Sequence, residues 1–517
     1  MIAAVTQSFA RRTTSGVAFA LFAAWALAAN WKHQQASLVI INGTILAGDG
    51  RPAFRANLRI EGDRIARIGR FDPQPGEDVL DARGLIVAPG FIDLHNHSDR
   101  GLDQDPTATS QISQGITTIV VGQDGSSAWP VGDFLAWREK RPAAVNLITL
   151  VGHATVRQQV MGRDTERPAT EAEIAAMADL VEQAMREGAF GLSTGLEYDV
   201  GHPSTTEEVI TLARRAARWG GIYVSHIRDE GDRVFDALDE ALRIGREAGI
   251  PVHISHIKLA TASVWGKARQ AVALIARARG RGQDVTADCY PYEAWASTIT
   301  VLVPSRRHAD RAAVAKGIAD VGGAAHVLVT NCRAHPDYEG KTLEEIARHH
   351  NTTPVDIYME IVRDGGASVV CRSMKESDIR LFYRQPWVMV ASDGGIGMRH
   401  PRAAGAFPRV LGQYVRTRRW LRLEEAVRKM TSAPAARLGL TDRGLLAEGM
   451  KADLVLFDPQ RVSDRATFGE PHLLSVGIEY VLVNGVRVWE NGRVTGRLPG
   501  TVIRKNLSKR PPLQKPA

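Results

Sequence analysis

Residues 221–257 read GIYVSHIRDEGDRVFDALDEALRIGREAGIPVHISHI, and they decide the fold. Two short runs, GIYVSHI and PVHISHI, each end in a histidine, His226 and His256, with a helical stretch between them. That spacing is one strand–helix–strand unit, about 30 residues. Six more stretches share the texture: GFIDLHN (90–96), GITTIVVG (115–122), VNLITLVG (145–152), AFGLSTGL (189–196), DVTADCY (284–290) and WVMVASDG (387–394). Amphipathic segments such as 171–188 fill the gaps, with Gly188 suited to a helix C-cap. Eight such units predict an α/β fold, a TIM-like (β/α)8 barrel spanning residues 89–444.

Working outward, the interval between the seventh and eighth strands is roughly three times a strand–helix unit. A structureless loop of that length is improbable. The sequence predicts an inserted subdomain over about 296–385, with a strand in AHVLVTNC (325–332) and a helix in TLEEIARHH (342–350). Residues 36–88 and 445–500 read instead as short strands with tight turns. Asn484-Gly485 and Asn491-Gly492 are hairpin signals. The two ends are expected to pair into one small β-sandwich.

In a closed barrel the polar residues at the C-terminal strand ends share one mouth. Strand one supplies His95 and His97, whose i, i+2 spacing aims both rings the same way. Strand two supplies Asp124, strands five and six His226 and His256, and strand eight Asp393. Imidazoles and carboxylates in that number suit Zn²⁺, with Mn²⁺ or Co²⁺ also compatible. Such an ion lowers the pKa of a water to about 7. A free carboxylate beside it, Asp393, can then move the proton. Asp124 also fits a plain turn cap between Gly122 and Gly125. Glu197 faces the mouth if strand four ends at Leu196. His153 reads as a supporting or structural residue. His253 falls on the face opposite His256 by strand periodicity and is expected against a helix.

The chain has 517 residues, 44% hydrophobic and 24% charged, with a formal charge of +8. That excess sits at the two ends. Arg11, Arg12 and Lys32 precede residue 36, and Arg504, Lys505, Lys509, Arg510 and Lys515 follow residue 500, with no acid among either group. A neutral body speaks against nucleic acid as a partner. Residues 501–517 read as a solvated basic tail. Residues 1–28 read as a secretory leader: two arginines, an apolar run too short for a membrane span, and a small-x-small site at Ala26–Ala28. Export to the periplasm or beyond follows, with no membrane partner past the leader. The three cysteines, Cys289, Cys332 and Cys371, have no metal-site spacing.

The motifs PGFIDLHNHSD (89–99), GLSTGLEY (191–198), SHIRDEG (225–231), SHIK (255–258), ADCYPYEA (287–294), SDGG (392–395) and HPRAAGAFPRVLG (400–412) resemble the N-acyl-D-amino acid deacylase (D-aminoacylase) family of amidohydrolases. The closing segment SAPAARLGLTDRGLLAEGMKADLVLFDP (432–459) resembles the wider superfamily, and the likeness covers about residues 37–495. It implies a barrel beside a sandwich and hydrolysis of N-acyl-D-amino acids to a carboxylate and a D-amino acid. It also implies one or two divalent ions, with His226 and His256 on a tighter zinc, His95 and His97 on a weaker site, and Asp393 catalytic. Lys258, Tyr292 and Arg402 would bind the carboxylate of a small N-acyl amino acid. One departure stands out: the family carries a cysteine in a GNCG turn where this chain has Asp124 in GQDG, so a harder site is expected. Glu293, Trp295 and Ala296 also stand where smaller or hydroxylic residues are expected. The alternatives are a dipeptidase, a cyclic-amide hydrolase, for which strand four lacks the lysine such enzymes carboxylate, and a non-catalytic exported binding protein.

Overall fold

Each of the eight anticipated stretches holds a short strand in the computed structural model, which describes residues 37–506. The strands are Phe91–Asp93, Ile116–Val121, a third split into Asn146–Thr149 and Val151–Gly152, then Gly191–Gly195, Ile222–His226, Val252–Ile254, Val285–Cys289 and Val388–Val390. All neighbouring pairs are parallel. Phe190 N donates to Thr149 O and Leu150 N to Val121 O across the split in strand three. Asp393 N donates to His95 O at 3.0 Å and His97 N to Gly394 O at 2.7 Å, which closes the ring between strands eight and one.

Alternation along the strands divides the barrel's two faces. Ile92, Val120, Ile148, Ile222, Val224 and Met389 form an apolar cluster inside. Ile119, Leu147, Leu192, Tyr223, Val252, Val285 and Val388 pack outward in the larger core shared with the helices. Full burial of each such aliphatic side chain contributes about 1.5–3 kcal/mol. Helix Glu171–Glu187 shows why the intervening segments are helical. Thr170 and Glu173 form a reciprocal capping box, and Gly188 at φ 116° takes the left-handed cap.

The insert has three antiparallel strands, with Ser368–Cys371 between Trp295–Thr298 and Val327–Asn331. Helices Arg311–Asp320, Leu343–His349 and Pro354–Arg363 accompany them. Helix Glu376–Tyr383 packs instead on Ala268–Gly280, in the barrel's outer ring. The separate unit therefore ends near Cys371 and not at 385.

The two chain ends build one nine-stranded sheet. Ile86–Pro89 pairs antiparallel with Leu454–Phe457, Val87 opposite Leu456, so the first and last parts of the chain meet at its middle. Leu38, Ile40, Leu58, Ile60, Leu80, Leu454, Leu456 and Leu482 form its apolar cluster. Asn484-Gly485 and Asn491-Gly492 take the paired positive φ angles of tight hairpins.

The basic end differs from expectation. Leu147 N donates to Thr501 O, Ile503 N to Leu147 O and Lys505 N to Gly188 O. Arg504 pairs with Glu139 at 2.9 Å. Val502 and Ile503 bring apolar surface to strand three, so the chain is a fastened strap through residue 505. The leader and residues 507–517 lie outside the described residues. Among the described residues no helix is long and apolar enough to cross a membrane. All three cysteines are buried and unpaired.

Candidate active site

The six residues anticipated as ligands converge at the C-terminal mouth of the barrel. Asp124 Oδ1 lies 3.3 Å from His95 Nε2 and 3.5 Å from His256 Nε2, and its Oδ2 lies 3.4 Å from His97 Nε2. Asp393 Oδ1 is 3.3 Å from His97 Nε2 and 3.6 Å from His95 Nε2. His226 Nδ1 faces His256 Nε2 at 3.1 Å. Donors at 2.0–2.2 Å around a tetrahedral ion sit roughly 3.3–3.5 Å apart, which matches this set. Both ring nitrogens of His95 and Asp124 Oδ1 are buried without hydrogen-bond partners. Buried polar atoms left so are rare unless something else engages them. The residues present therefore fit a divalent metal.

Backbone strain marks the same residues. Asp124, His256 and Asp393 have φ of 54°, 33° and 47°, in the left-handed region. Non-glycine residues held there cluster at functional sites. Charge follows the geometry. Burial works against protonation of His97, yet Asp124 and Asp393 push it up to about 9. Burial alone would raise the Asp393 carboxyl, but Arg402, then His256 and His95, hold it below the ordinary carboxylate range. The centre attracts positive charge.

A second set of carboxylates aims the rings. Glu197 Oε2 meets His226 Nε2 at 2.8 Å, leaving Nδ1 to face His256. Glu230 lies 3.0 Å from His256 Nδ1, and Lys258 Nζ lies 2.7 Å from the same nitrogen, leaving Nε2 to face Asp124. Such partners orient metal-ligating histidines and tune their basicity. Asp288 Oδ1 accepts from His256 N at 2.7 Å. His253 does not turn to a helix as expected. Its ring meets Asp288 Oδ2 and Thr286 Oγ1 at 2.7 Å each, inside the barrel. His153 is buried against Glu208 at 2.8 Å, beside Arg157.

A cavity of about 1080 Å³ opens over this centre, roofed by insert residues including Trp295, Leu302 and Arg306. Lys258 and Arg402 line it, as anticipated. Lys258 Nζ donates to both oxygens of Glu230 at 2.6 and 2.7 Å. Arg402 Nη1 lies 2.8 Å from Asp393 Oδ2, while its Nε is buried without a partner. Tyr292 is the exception. It does not line the cavity; its hydroxyl donates to Asp464 at 3.2 Å, and its ring meets that of His400 edge-on. The ring beside the two cations is that of Tyr290, 4.8 Å from the Arg402 guanidinium and 5.9 Å from Lys258 Nζ. Sequence reasoning also missed Glu230, Arg306 and Tyr198. The Tyr198 hydroxyl lies 3.4 Å from His226 Nδ1, and burial, then the charge of Asp124, keeps its phenol protonated. Glu230 follows His226 by four residues, which was the available signal.

The family model described as Amidohydrolase family matches residues 78–489. The chain belongs to the amidohydrolase family. D-aminoacylase of Alcaligenes xylosoxydans xylosoxydans is 39% identical to this amidohydrolase over 500 residues, covering 92% of this chain and 99% of its own. N-acyl-D-aspartate deacylase of the same organism is 39% identical over 495 residues, 91% of this chain and 95% of its own. A crystal structure of N-acyl-D-glutamate deacylase from Bordetella bronchiseptica, complexed with zinc and a phosphonate mimic of the tetrahedral intermediate, superimposes with a TM-score of 0.83. It is 38% identical and covers 91% of this chain and 100% of its own.

Proposed function

We propose that this amidohydrolase hydrolyses the amide bond of N-acyl-D-amino acids, releasing a carboxylate and a free D-amino acid. It does so with one or two divalent ions, zinc foremost, held by His95, His97, Asp124, His226, His256 and Asp393. The observation that carries the reading is the meeting of these six ligands beside two buried cations, Lys258 and Arg402, in a chain so similar to N-acyl-D-amino acid deacylases along nearly its whole length.

A divalent ion in this centre supplies Lewis acidity, lowering the pKa of a water and polarising a carbonyl. The chain's own groups do the rest. Asp393 presents Oδ1 to the centre while Arg402 holds Oδ2. Its carboxylate is placed to take a proton from the attacking water and return it to the leaving amine. Arg402 Nε supplies a donor for the substrate carboxylate, a group that a guanidinium suits, and the buried Lys258 adds positive charge beside it. The insert residues Trp295, Leu302 and Arg306 line the cavity that the substrate would enter. The cyclic-amide alternative loses support at strand four, where Glu197 occupies the mouth and is committed to His226.

The test is amine release from N-acetyl-D- and N-acetyl-L-amino acids by enzyme stripped of metal and reloaded with zinc. Activity confined to the D series is expected. Asp393→Asn should lower kcat by about 10²–10⁴-fold, the range for a positioned acid–base group. Equal hydrolysis of both series, or none after reloading, overturns the reading. The leader supports export to the periplasm, and the N-terminal residue of the protein recovered from cells checks it.

A further inference from the structure

Arg402 opens the helix Arg402–Arg409, and the N–H of a first helical residue has no partner within its own helix. Here the His400 ring supplies one. Arg402 N donates to His400 Nδ1 at 3.0 Å, and His400 Nε2 lies 3.1 Å from Ala294 O. A main-chain N–H can only donate and a carbonyl can only accept. Both bonds therefore form only with Nδ1 bare and the proton on Nε2, a neutral ring in one tautomer. The surroundings agree. His400 is wholly buried, with Tyr290, Tyr292 and Phe468 edge-on to it at centroid distances of 6.3, 5.7 and 5.3 Å. Burial, then the charge of Arg402, holds the imidazole below its ordinary range. The ring itself does not line the cavity, but both of its partners lead there. Arg402 Nη1 lies 2.8 Å from Asp393 Oδ2, and its Nε is buried without a partner. Ala294 runs directly into Trp295–Thr298, the first strand of the insert, whose four residues all line the cavity.

We propose that His400 is a positioning residue, a neutral strut of fixed tautomer that sets the Arg402 guanidinium for the substrate carboxylate and ties it to the base of the insert. This rests on the carboxylate-binding role given to Arg402 above and goes beyond it. The tip of Arg402 is already placed, against Asp393 and 4.8 Å from the Tyr290 ring. His400 places the other end, the main chain from which the side chain springs. With that N–H released, the start of the helix is free to shift and Nε moves with it. Displacing a binding group by about 1 Å can cost about 10²-fold in rate. The loss falls on a substrate that has a carboxylate to be recognised, because the charge-assisted bond to the guanidinium is the one that depends on its direction. An analogue with that carboxylate blocked as an amide has no such bond to lose.

The experiment separates the two bonds. His400→Asn puts an acceptor oxygen where Nδ1 lies and keeps the bond to Arg402 N. His400→Gln puts an NH₂ where Nε2 lies and keeps only the bond to Ala294 O. The readout is the preference, in kcat/KM, for the N-acetyl-D-amino acid that the wild type turns over fastest against its primary amide. His400→Gln should lower that preference about 10–100-fold, and His400→Asn should keep most of it. An equal fall for acid and amide in His400→Gln marks a merely structural role and overturns the proposal, as does the same preference in both variants. Selective ¹⁵N-histidine labelling, with His400 assigned by the signal lost in His400→Asn, reads the ring without turnover. A neutral ring protonated at Nε2 from about pH 5 to pH 8, where an ordinary histidine titrates, is expected. A proton on Nδ1, or titration in that range, overturns the strut. If either variant loses its near-ultraviolet circular dichroism, the wild-type ring spectrum, assigned with the variant that folds or with His400→Phe, decides. A wild-type chain that hydrolyses no N-acetyl amino acid is a separate outcome: it defeats the functional reading, and the same spectrum still decides the strut.

Discussion

Asp93 is the joint between the first and last barrel strands, and Asp93→Asn tests how much it holds. Its buried carboxylate accepts from Ser392 N at 2.9 Å, Ser392 Oγ at 2.5 Å, Asn96 Nδ2 at 2.8 Å and His95 N at 3.4 Å. An amide of the same shape keeps one acceptor oxygen and turns an NH₂ group towards donors. Placed at Oδ1, the NH₂ strands the Ser392 and His95 amides. Placed at Oδ2, it lets the Ser392 hydroxyl rotate but strands the Asn96 NH₂, whose own oxygen is committed to Ser98 N at 2.9 Å. The second orientation costs less. Hydrogen bonds to a charged group contribute about 1.5–3 kcal/mol each, and a stranded buried donor costs about 1–3 kcal/mol. A local loss of about 3–5 kcal/mol follows, or roughly two to four orders of magnitude in opening. Native-state hydrogen exchange reads it directly. Protection should fall at the amides of Ser392, Asp393 and His97, which span the joint, and persist at Leu192 and Tyr223 across the barrel. Unchanged protection at the first three would refute the claim that this carboxylate closes the ring.

Glu197→Gln should weaken metal binding about 10–100-fold by releasing the His226 ring, measured by competition with a chelator, without unfolding the barrel. Glu208→Gln leaves the fully buried Arg157 and His153 facing a neutral amide. It should destabilise by about 3–5 kcal/mol, whereas Arg157→Met with Glu208→Leu recovers most of that loss; equal denaturation midpoints for the wild type and the single variant would contradict it. Tyr292→Phe should cost about 0.5–1.5 kcal/mol through the lost bond to Asp464 and leave kcat/KM unaltered. A large rise in KM would return Tyr292 to the substrate.

The eight strands were legible because each is a short apolar run closed by a polar residue, recurring at one unit's spacing. The ligands were legible for the same reason: a strand end in a barrel has one place to point. Where the strand stops, so does the rule. Val252–Ile254 ends two residues before His256, whose positive φ breaks the alternation. Parity therefore sent His253 to the wrong side. Tyr290 and Tyr292 flank Pro291 beyond Cys289, where strand seven has ended, and the partner that claims Tyr292 is Asp464, remote in sequence. Glu230, Tyr198 and Arg306 lie in loops, whose course no periodicity encodes. The strap at 501–505 was hidden by its charge. Its five residues include Val502 and Ile503, but the bases beside them dominate any composition window.

Because Ile86–Pro89 must wait for Leu454–Phe457, the central sheet stays incomplete until the far end of the chain arrives. Cutting at the exposed turn around Gly365, before Ser368–Cys371, would give two pieces, each holding part of that sheet. His95, His97, Asp124, His226 and His256 would travel on one piece and Asp393 on the other. Neither half could turn over substrate alone, so recovered hydrolysis on mixing would report reassembly, and the protein would serve as its own split reporter.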